Sequence, residues 1–185
     1  MIEIEYKFQL DDITMTNTQL KSRGAVLAKP RTYELSVMYD NPQQLMQKTD
    51  SRIRVRQSGD TIEFCYKKPI TRKGIKKEIE HQVEVNELDS LVAILASMEF
   101  TPTTSYERYR TEYTFNNVKI TIDEYPFANF VEIEGAEDDI ISTAGRLGFD
   151  INENLTDSCD SLFIKWRRDK NLPFTQHMKF KGYDK

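Results

Sequence analysis

Apolar and polar side chains alternate with a period of two in segment after segment of this chain. Residues 2–8 set Ile2, Ile4, Tyr6 and Phe8 on one face and Glu3, Glu5 and Lys7 on the other, the pattern of a half-buried strand. A further strand is predicted over 33–40, after Pro30 closes a loop. Over 51–57, Arg52, Arg54 and Arg56 oppose Ile53 and Val55. Ser58-Gly59-Asp60 is a turn, so 61–68 pairs back as a hairpin, with Glu63, Cys65 and Lys67 opposite Ile62, Phe64 and Tyr66. After a basic loop over 69–74, residues 75–85 set Lys76, Glu78, Glu80 and Gln82 opposite Ile79, Val83 and Val85, although Lys77 and His81 interrupt the apolar side. Residues 106–115 carry Arg108, Arg110 and Glu112 on one side. Asn116-Asn117 reads as a hairpin turn. Beyond it Lys119, Thr121 and Asp123 oppose Val118, Ile120 and Ile122, and Glu132 and Glu134 oppose Val131 and Ile133 in 130–135.

Between these runs the period changes. Asp11-Asp12 is placed to cap a helix through Leu20 that Gly24 ends. Leu88, Leu91, Val92, Leu95 and Met98 stand at helical spacing over 86–98, with Asn86 or Asp89 as cap. Two more helices are predicted over 138–147 and 156–169, where Leu162, Phe163 and Trp166 read as packing residues. The segment beyond Leu172 is basic, contains Pro173 and has no period. It is expected to be a loose arm, giving one domain over 1–170 and a tail over 171–185.

Eight mostly consecutive strands with short turns imply antiparallel pairing, and such a sheet can close into a barrel. The amphipathic helices need an apolar surface to cover. If the charged strand faces looked outward, the apolar ones would fill the barrel and leave the helices none. Turning the apolar faces outward under the helices puts the charges inside. The pattern alone allows this α+β arrangement, an eight-stranded antiparallel closed β-barrel with a charged interior and helices packed outside, as readily as its inverse.

Composition narrows the function. A mean hydropathy of −0.62 would suit disorder, but nine Tyr, ten Phe and the regular alternation argue for a folded chain. The net charge of −4 gives no reason to expect nucleic acid or an anionic membrane as partner. Cys65 and Cys159 are too few for a disulfide scaffold and form no metal-binding pair. No apolar run approaches a membrane span and Met1 leads directly into a strand, so a cytoplasmic location is expected. The Ser residues have no His partner for a nucleophilic triad; His81 lies on the other face and His177 in the tail.

Inward charges have an energetic consequence. Two carboxylates about 7 Å apart repel by about 2 kcal/mol at an effective dielectric near 20. Glu3, Glu5, Asp123, Glu132 and Glu134 could not all stay ionised in a barrel without cations, and oxygen ligands lacking His or Cys suit Mg²⁺ or Mn²⁺. Arg52, Arg54, Arg56, Lys67, Lys76, Arg108 and Arg110 equally need an anion, and Arg grips phosphate with several donors. The two together describe a polyphosphate site with bridging metal. Lys119 and Lys73 also read as solvated charge, Arg56 as a residue near a mouth, and Cys65 as inert filler.

The motifs Glu3-x-Glu5-x-Lys7, Arg52-Ile-Arg54, Tyr66-Lys67-x-Pro69, Lys76-x-Glu78-x-Glu80-x-x-Val83, Arg108-x-Arg110, Ile122-Asp123-Glu124 and Phe130-Val-Glu132-Ile-Glu134 follow in order. This set resembles the CYTH superfamily, the triphosphate tunnel metalloenzymes, and in spacing and length its class IV adenylyl cyclase group. The resemblance implies a tunnel that holds a triphosphate and divalent metal, most readily two ions. It assigns Glu3, Glu5, Asp123, Glu132 and Glu134 as catalytic metal ligands, and Lys7, Arg52, Arg54, Lys67, Lys76, Arg108 and Arg110 as the triphosphate grip. Arg56, Glu63, Glu78, Glu80 and Lys119 are further tunnel positions. Lys68, Lys76, Gln82 and the loop 125–129 depart from the family pattern but remove no metal ligand. Three functions follow: an adenylyl cyclase making cyclic AMP and pyrophosphate, a triphosphatase acting on an inorganic, thiamine or nucleoside triphosphate, and a non-catalytic polyphosphate or nucleotide binding module. A homodimer is compatible with each.

Overall fold

The computed structural model describes residues 2–71 and 73–180. In chain order the elements are β1 (Ile2–Leu10), α1 (Ile13–Ser22), β2 (Val26–Asp40), α2 (Leu45–Lys48), β3 (Arg52–Ser58), β4 (Thr61–Thr71), β5 (Lys76–Val85), α3 (Leu88–Ser97), β6 (Thr101–Phe115), β7 (Val118–Glu124), β8 (Asn129–Glu134), α4 (Glu137–Leu147), a 3-10 turn (Ile151–Glu153), α5 (Cys159–Asp169) and β9 (His177–Met178). Strands β2-β3-β4-β5-β1-β8-β7-β6 pair antiparallel in that order, and β2 pairs with β6 to close the ring. This is the expected eight-stranded barrel. The register places Lys7 opposite Glu132, Glu5 opposite both Lys76 and Glu134, and Arg110 opposite Asp123.

The apolar faces point outward under the helices. Ile120, Ile122, Val131 and Ile133 of β7 and β8 pack with Ile140, Ala144 and Leu147 of α4. Leu91 and Leu95 of α3 cover Tyr39 and Val55, whereas Phe163 of α5 packs on Tyr106, Tyr125 and Phe130. Of these, Tyr106 and Phe130 share the inward face of their strands with Arg108 and Glu132. Each fully buried aliphatic side chain of this kind contributes about 1.5–3 kcal/mol. Two core clusters thus form shells outside the barrel, the third sits where α5 meets it, and most of the barrel interior is left to charge.

Local chemistry explains most element ends. Asp12 caps α1 by accepting from the Met15 amide at 2.9 Å, and Ser158 caps α5 by accepting from Ser161. Gly148 ends α4 with φ +86°, a conformation that costs glycine little. Asn116 takes φ +53° in the β6–β7 turn.

Several boundaries differ from expectation. Strand β2 begins at Val26 rather than after Pro30; Pro30 lies in the stretch where the β2–β6 register shifts, so its missing N–H costs no ladder bond. Strand β4 runs through Pro69 to Thr71, with another shift there, and β6 starts at Thr101. Glu87, not Asn86 or Asp89, occupies the α3 N-cap. The short α2 is unexpected; the Asp40 carboxylate builds it by accepting from the Met46 and Gln47 amides at 2.9 and 3.0 Å.

The segment expected to be a loose arm is docked as far as Phe180. His177–Met178 pair parallel with Ser105 and Tyr106, Met178 is buried, and the Phe180 amide donates to Glu107 at 2.9 Å. Strand β7 pairs with β6 only from Tyr109 onward, so β9 fills the edge that β7 leaves. Arg72 of the predicted basic loop, and residues 181–185, lie outside the described residues. No described helix is long and apolar enough to cross a membrane.

Candidate active site

The barrel encloses a cavity of about 310 Å³, within the size range of small-molecule sites. Of the residues predicted from sequence, Glu3, Glu5, Lys7, Arg52, Arg54, Arg56, Glu63, Lys67, Lys76, Glu80, Arg108, Arg110, Lys119, Glu132 and Glu134 line it. Asp123 and Glu78 do not. They stand inside the wall, 0% and 1% exposed. Asp123 accepts from both Arg108 and Arg110, and Glu78 bridges Arg52 and Lys76.

These contacts form a belt of alternating charge. Arg56 meets Glu34 at 3.3 Å, Glu34 meets Arg108 at 2.6 Å, and Arg108 meets Asp123 at 2.9 Å. Asp123 meets Arg110 at 2.5 Å, Arg110 meets Glu132 at 2.6 Å, and Glu132 meets Lys7 at 3.3 Å. Lys7 meets Glu5 at 3.4 Å, Glu5 meets Lys76 at 3.0 Å, and Glu78 at 2.5 Å returns the belt to Arg52. The belt leaves β3 and comes back to it. Strand β4 joins through Glu63, which pairs with Arg56, and through Lys67, which pairs with Glu3 and Glu80. Breaking one side of a buried pair of this kind costs about 3–5 kcal/mol.

The pairing sets protonation. Burial works against the charge on Glu34, but Arg108, Arg110 and Arg56 hold its carboxyl far below the ordinary range. Glu132 is held low against burial by Lys7 and Arg110, and Glu80 is held at about 2 by Lys67. Glu5 is lowered although burial and Glu132 oppose it, because Lys76 and Lys7 outweigh them. Glu3 goes the other way: burial, with Glu5 and Glu80 nearby, raises it despite Lys67. Burial pushes the Cys65 thiol up to about 11, so at neutral pH it is an unreactive thiol.

Arg54 lines the same cavity but stands outside the belt. Among the described residues it makes no ion pair with a carboxylate, and its Nε is buried without a hydrogen-bond partner. Its neighbours are Tyr106 and Cys65, which raise its pKa against burial. In turn Arg54 and Arg108 pull the Tyr106 phenol below its usual value although burial opposes this.

The lining also holds residues that the sequence reading passed over. Glu34 and Met38 continue the inward face of β2, and Lys29 and Glu112 stand among the lining residues with Lys119 and Glu134. Tyr106 sits two residues before Arg108 and so shares the face of Arg108 and Arg110. That spacing was available as a signal, but an aromatic in an alternating strand reads as apolar. Tyr125, Ser158, Cys159 and Asp160 arrive through a loop and the first turn of α5, and no periodicity could place them. Lys119 is at a mouth, with its side chain 43% exposed and paired to Glu134. Arg56 is buried and Lys73 is exposed.

The donor chemistry suits a hard divalent cation. Glu3, Glu5, Glu132 and Glu134 are oxygen donors on the adjacent strands β1 and β8, and Glu5 Oε1 is buried without a hydrogen bond. As they stand, each faces a base, and among the described residues no three acidic, His or Cys groups converge on a metal position.

A closed antiparallel barrel whose interior is an ion-pair lattice defines a charged-tunnel protein. The sequence profile of the CYTH domain matches residues 1–156, and the chain belongs to that family. A protein of Methanocaldococcus jannaschii named as a candidate adenylate cyclase is 25% identical over 141 residues, 76% of this chain and 80% of that one. A solved structure of a candidate adenylate cyclase from Vibrio parahaemolyticus superposes with a TM-score of 0.80 at 15% identity, covering 89% of this chain and 98% of that one. A candidate adenylyl cyclase from Hippeastrum, described as having a dominant triphosphatase activity, gives 0.62 at 17% identity and covers 95% and 100%. At these identities the two solved structures are similar in fold.

Proposed function

We propose that the chain is an enzyme acting on a triphosphate, and specifically an adenylyl cyclase that converts ATP to cyclic AMP and pyrophosphate. The observation that carries this reading is Arg54. A cation in a desolvated wall with no carboxylate partner calls for an anion from outside. The rest of the lining says what kind. Ten bases and nine acids line the cavity among the described residues, with Glu78 and Asp123 behind them. So balanced a lattice cannot absorb a bare triphosphate, but it accommodates one that brings its own divalent cations. The names of the M. jannaschii and V. parahaemolyticus proteins support the cyclase.

In this reading Arg54, Arg52 and Lys67 on β3 and β4 grip the phosphates from one wall, and Lys7, Lys76, Arg108 and Arg110 from the other. Arg54 and Arg108 stabilise the charge that develops on departing pyrophosphate, and Arg108 does so with no reorganisation because Glu34 and Asp123 already hold it in place. Mg²⁺ or Mn²⁺ held by Glu3, Glu5, Glu132 and Glu134 would lower the pKa of the attacking hydroxyl and neutralise phosphate charge. Asp123 fixes Arg108 and Arg110. The 3′-oxygen bonds to the α-phosphorus, the bond from that phosphorus to the bridging oxygen breaks, and the hydroxyl proton goes to solvent.

The second reading is a triphosphatase, in which water attacks the terminal phosphorus in the same tunnel. The activity described for the Hippeastrum protein favours it. Incubation with ATP or tripolyphosphate plus Mg²⁺ or Mn²⁺, with chromatographic separation of products, tests both. Cyclic AMP with pyrophosphate supports the cyclase, orthophosphate the hydrolase, and no turnover of either substrate rejects both.

A further inference from the structure

One end of the cavity differs from the rest. Where the first turn of α5 meets the barrel, Met38, Tyr106, Tyr125 and Cys159 supply uncharged surface, whereas the remaining lining is almost wholly charged. The two tyrosines are fixed. Their rings lie 5.9 Å apart, and Tyr125 also meets Phe130 edge-on while its hydroxyl accepts from Arg108 at 3.2 Å. Asp160, in the first turn of α5, lines the same corner. Arg52, Lys7 and Arg54 act on it electrostatically, yet it closes no ion pair within 4 Å with any of them. It is the lining carboxyl at this end that the belt does not use.

This corner is poorly suited to phosphate. Phosphate oxygens against Met38 and the face of an aromatic ring would lose water and gain no donor from those surfaces, and the Asp160 carboxylate would repel them. It suits the other part of a substrate whose nearest phosphate is anchored at Arg54, beside Tyr106. Such a group needs an apolar body to lie on Met38 and Tyr106 and a hydroxyl or amino group to donate to Asp160. We infer that this corner receives the organic end of a triphosphate ester, a nucleoside in the reading above, and that Asp160 is the residue that distinguishes such an ester from inorganic triphosphate. This rests on the triphosphate reading of the tunnel and adds to it a discriminating group outside the phosphate grip. Burial holds the Asp160 carboxyl above its ordinary pKa despite the three cations, consistent with a group that exchanges hydrogen bonds rather than neutralising charge.

The test is calorimetric binding of ATP and of tripolyphosphate, each with the same divalent cation, to the wild type, Asp160→Ala and Asp160→Asn. The wild type is expected to bind both ligands. In Asp160→Ala the ratio of ATP affinity to tripolyphosphate affinity should fall at least tenfold, and Asp160→Asn, which keeps an acceptor, should recover part of it. Met38→Gln, on β2 rather than α5, should lower the same ratio, so the outcome does not depend on one helix turn folding normally. A ratio unchanged in Asp160→Ala overturns the role of Asp160; a ratio unchanged in Met38→Gln, or a wild type that binds tripolyphosphate but not ATP, overturns the assignment of the corner. A wild type that binds neither ligand rejects the triphosphate reading itself, and the discriminating role with it.

Discussion

Arg110 gives Asp123 both Nε and Nη2, at 2.6 and 2.5 Å, across the β6–β7 pairing. The Asp123 carboxylate is therefore engaged as the holder of a guanidinium, and Arg108 takes a second share of it. Glu134, a carboxylate grouped with Asp123 on sequence grounds, is instead partly exposed and paired to one mobile-chained lysine. The two should separate by experiment. Asp123→Asn strands two buried arginines and is expected to destabilise the fold by about 3–5 kcal/mol. Glu134→Gln should change stability by less than about 1 kcal/mol, since exposed pairs contribute little, and should abolish turnover if it holds the cation. Denaturant melts and activity assays on both variants measure this; equal stability losses would contradict the division.

Arg54→Met removes a charge that has no carboxylate partner within the described residues. Stability should hold or rise, because no complementary acid is left behind. Turnover should fall by about 3 kcal/mol of transition-state stabilisation, roughly a hundredfold or more. A loss of several kcal/mol in the unfolding free energy with turnover intact would make Arg54 a structural residue.

Acid should unfold the protein by way of the belt. Glu80 is held at about 2, and Glu34, Glu5 and Glu132 are held below their ordinary value of 4.5. Once unfolded, each returns to the ordinary range, so below it the unfolded chain binds more protons than the folded one. The stability these groups supply is complete above about pH 4.5 and is lost as pH falls toward about 2. Glu3, Asp123 and Asp160, raised by burial, work in the opposite sense and offset part of this loss. Melting temperature against pH should drop steeply below about 4.5, and Glu80→Gln should make the drop shallower. A flat profile down to pH 2.5 would show that the pairs do not carry stability.

The reaction is decided by 3′-deoxy-ATP. A cyclase needs the absent hydroxyl, so the analogue should bind and yield no product, while a hydrolase should release orthophosphate from it at a rate near that for ATP. Orthophosphate from the analogue, with no cyclic nucleotide from ATP, would reverse the order of the two readings.

The inward charge was legible because alternation assigns faces and short turns assign neighbours. Glu3, Glu5 and Lys7 needed only the period of two, and Arg108 and Arg110 only their spacing. What escaped depends on closure. Glu34 is a lone acid in a strand of mixed polarity, and it becomes central only when β2 meets β6, more than 70 residues away in sequence, and presents it to Arg108. The start of β2 was hidden by Pro30, which is harmless at a register shift. Asp123 had the residue type and spacing of a ligand, and only its two guanidinium partners reveal a different engagement. The tail lacks periodicity because it covers an edge with two residues and needs no repeating face.

The first strand is stitched to distant parts of the chain. Lys7 meets Glu132 on one side, and on the other its backbone N–H and C=O are taken by Asn154 and Leu155, nearly 150 residues on. Contacts of such separation repay their loop-closure entropy only when they form together. With so many pairings of high sequence separation, slow folding is the expected behaviour. The belt crosses the β2–β6 seam through Glu34 and Arg108 and the β1–β8 seam through Lys7 and Glu132, so it is complete only when the ring is closed. The tunnel and its ion-pair ring are therefore one cooperative unit: opening either seam breaks both.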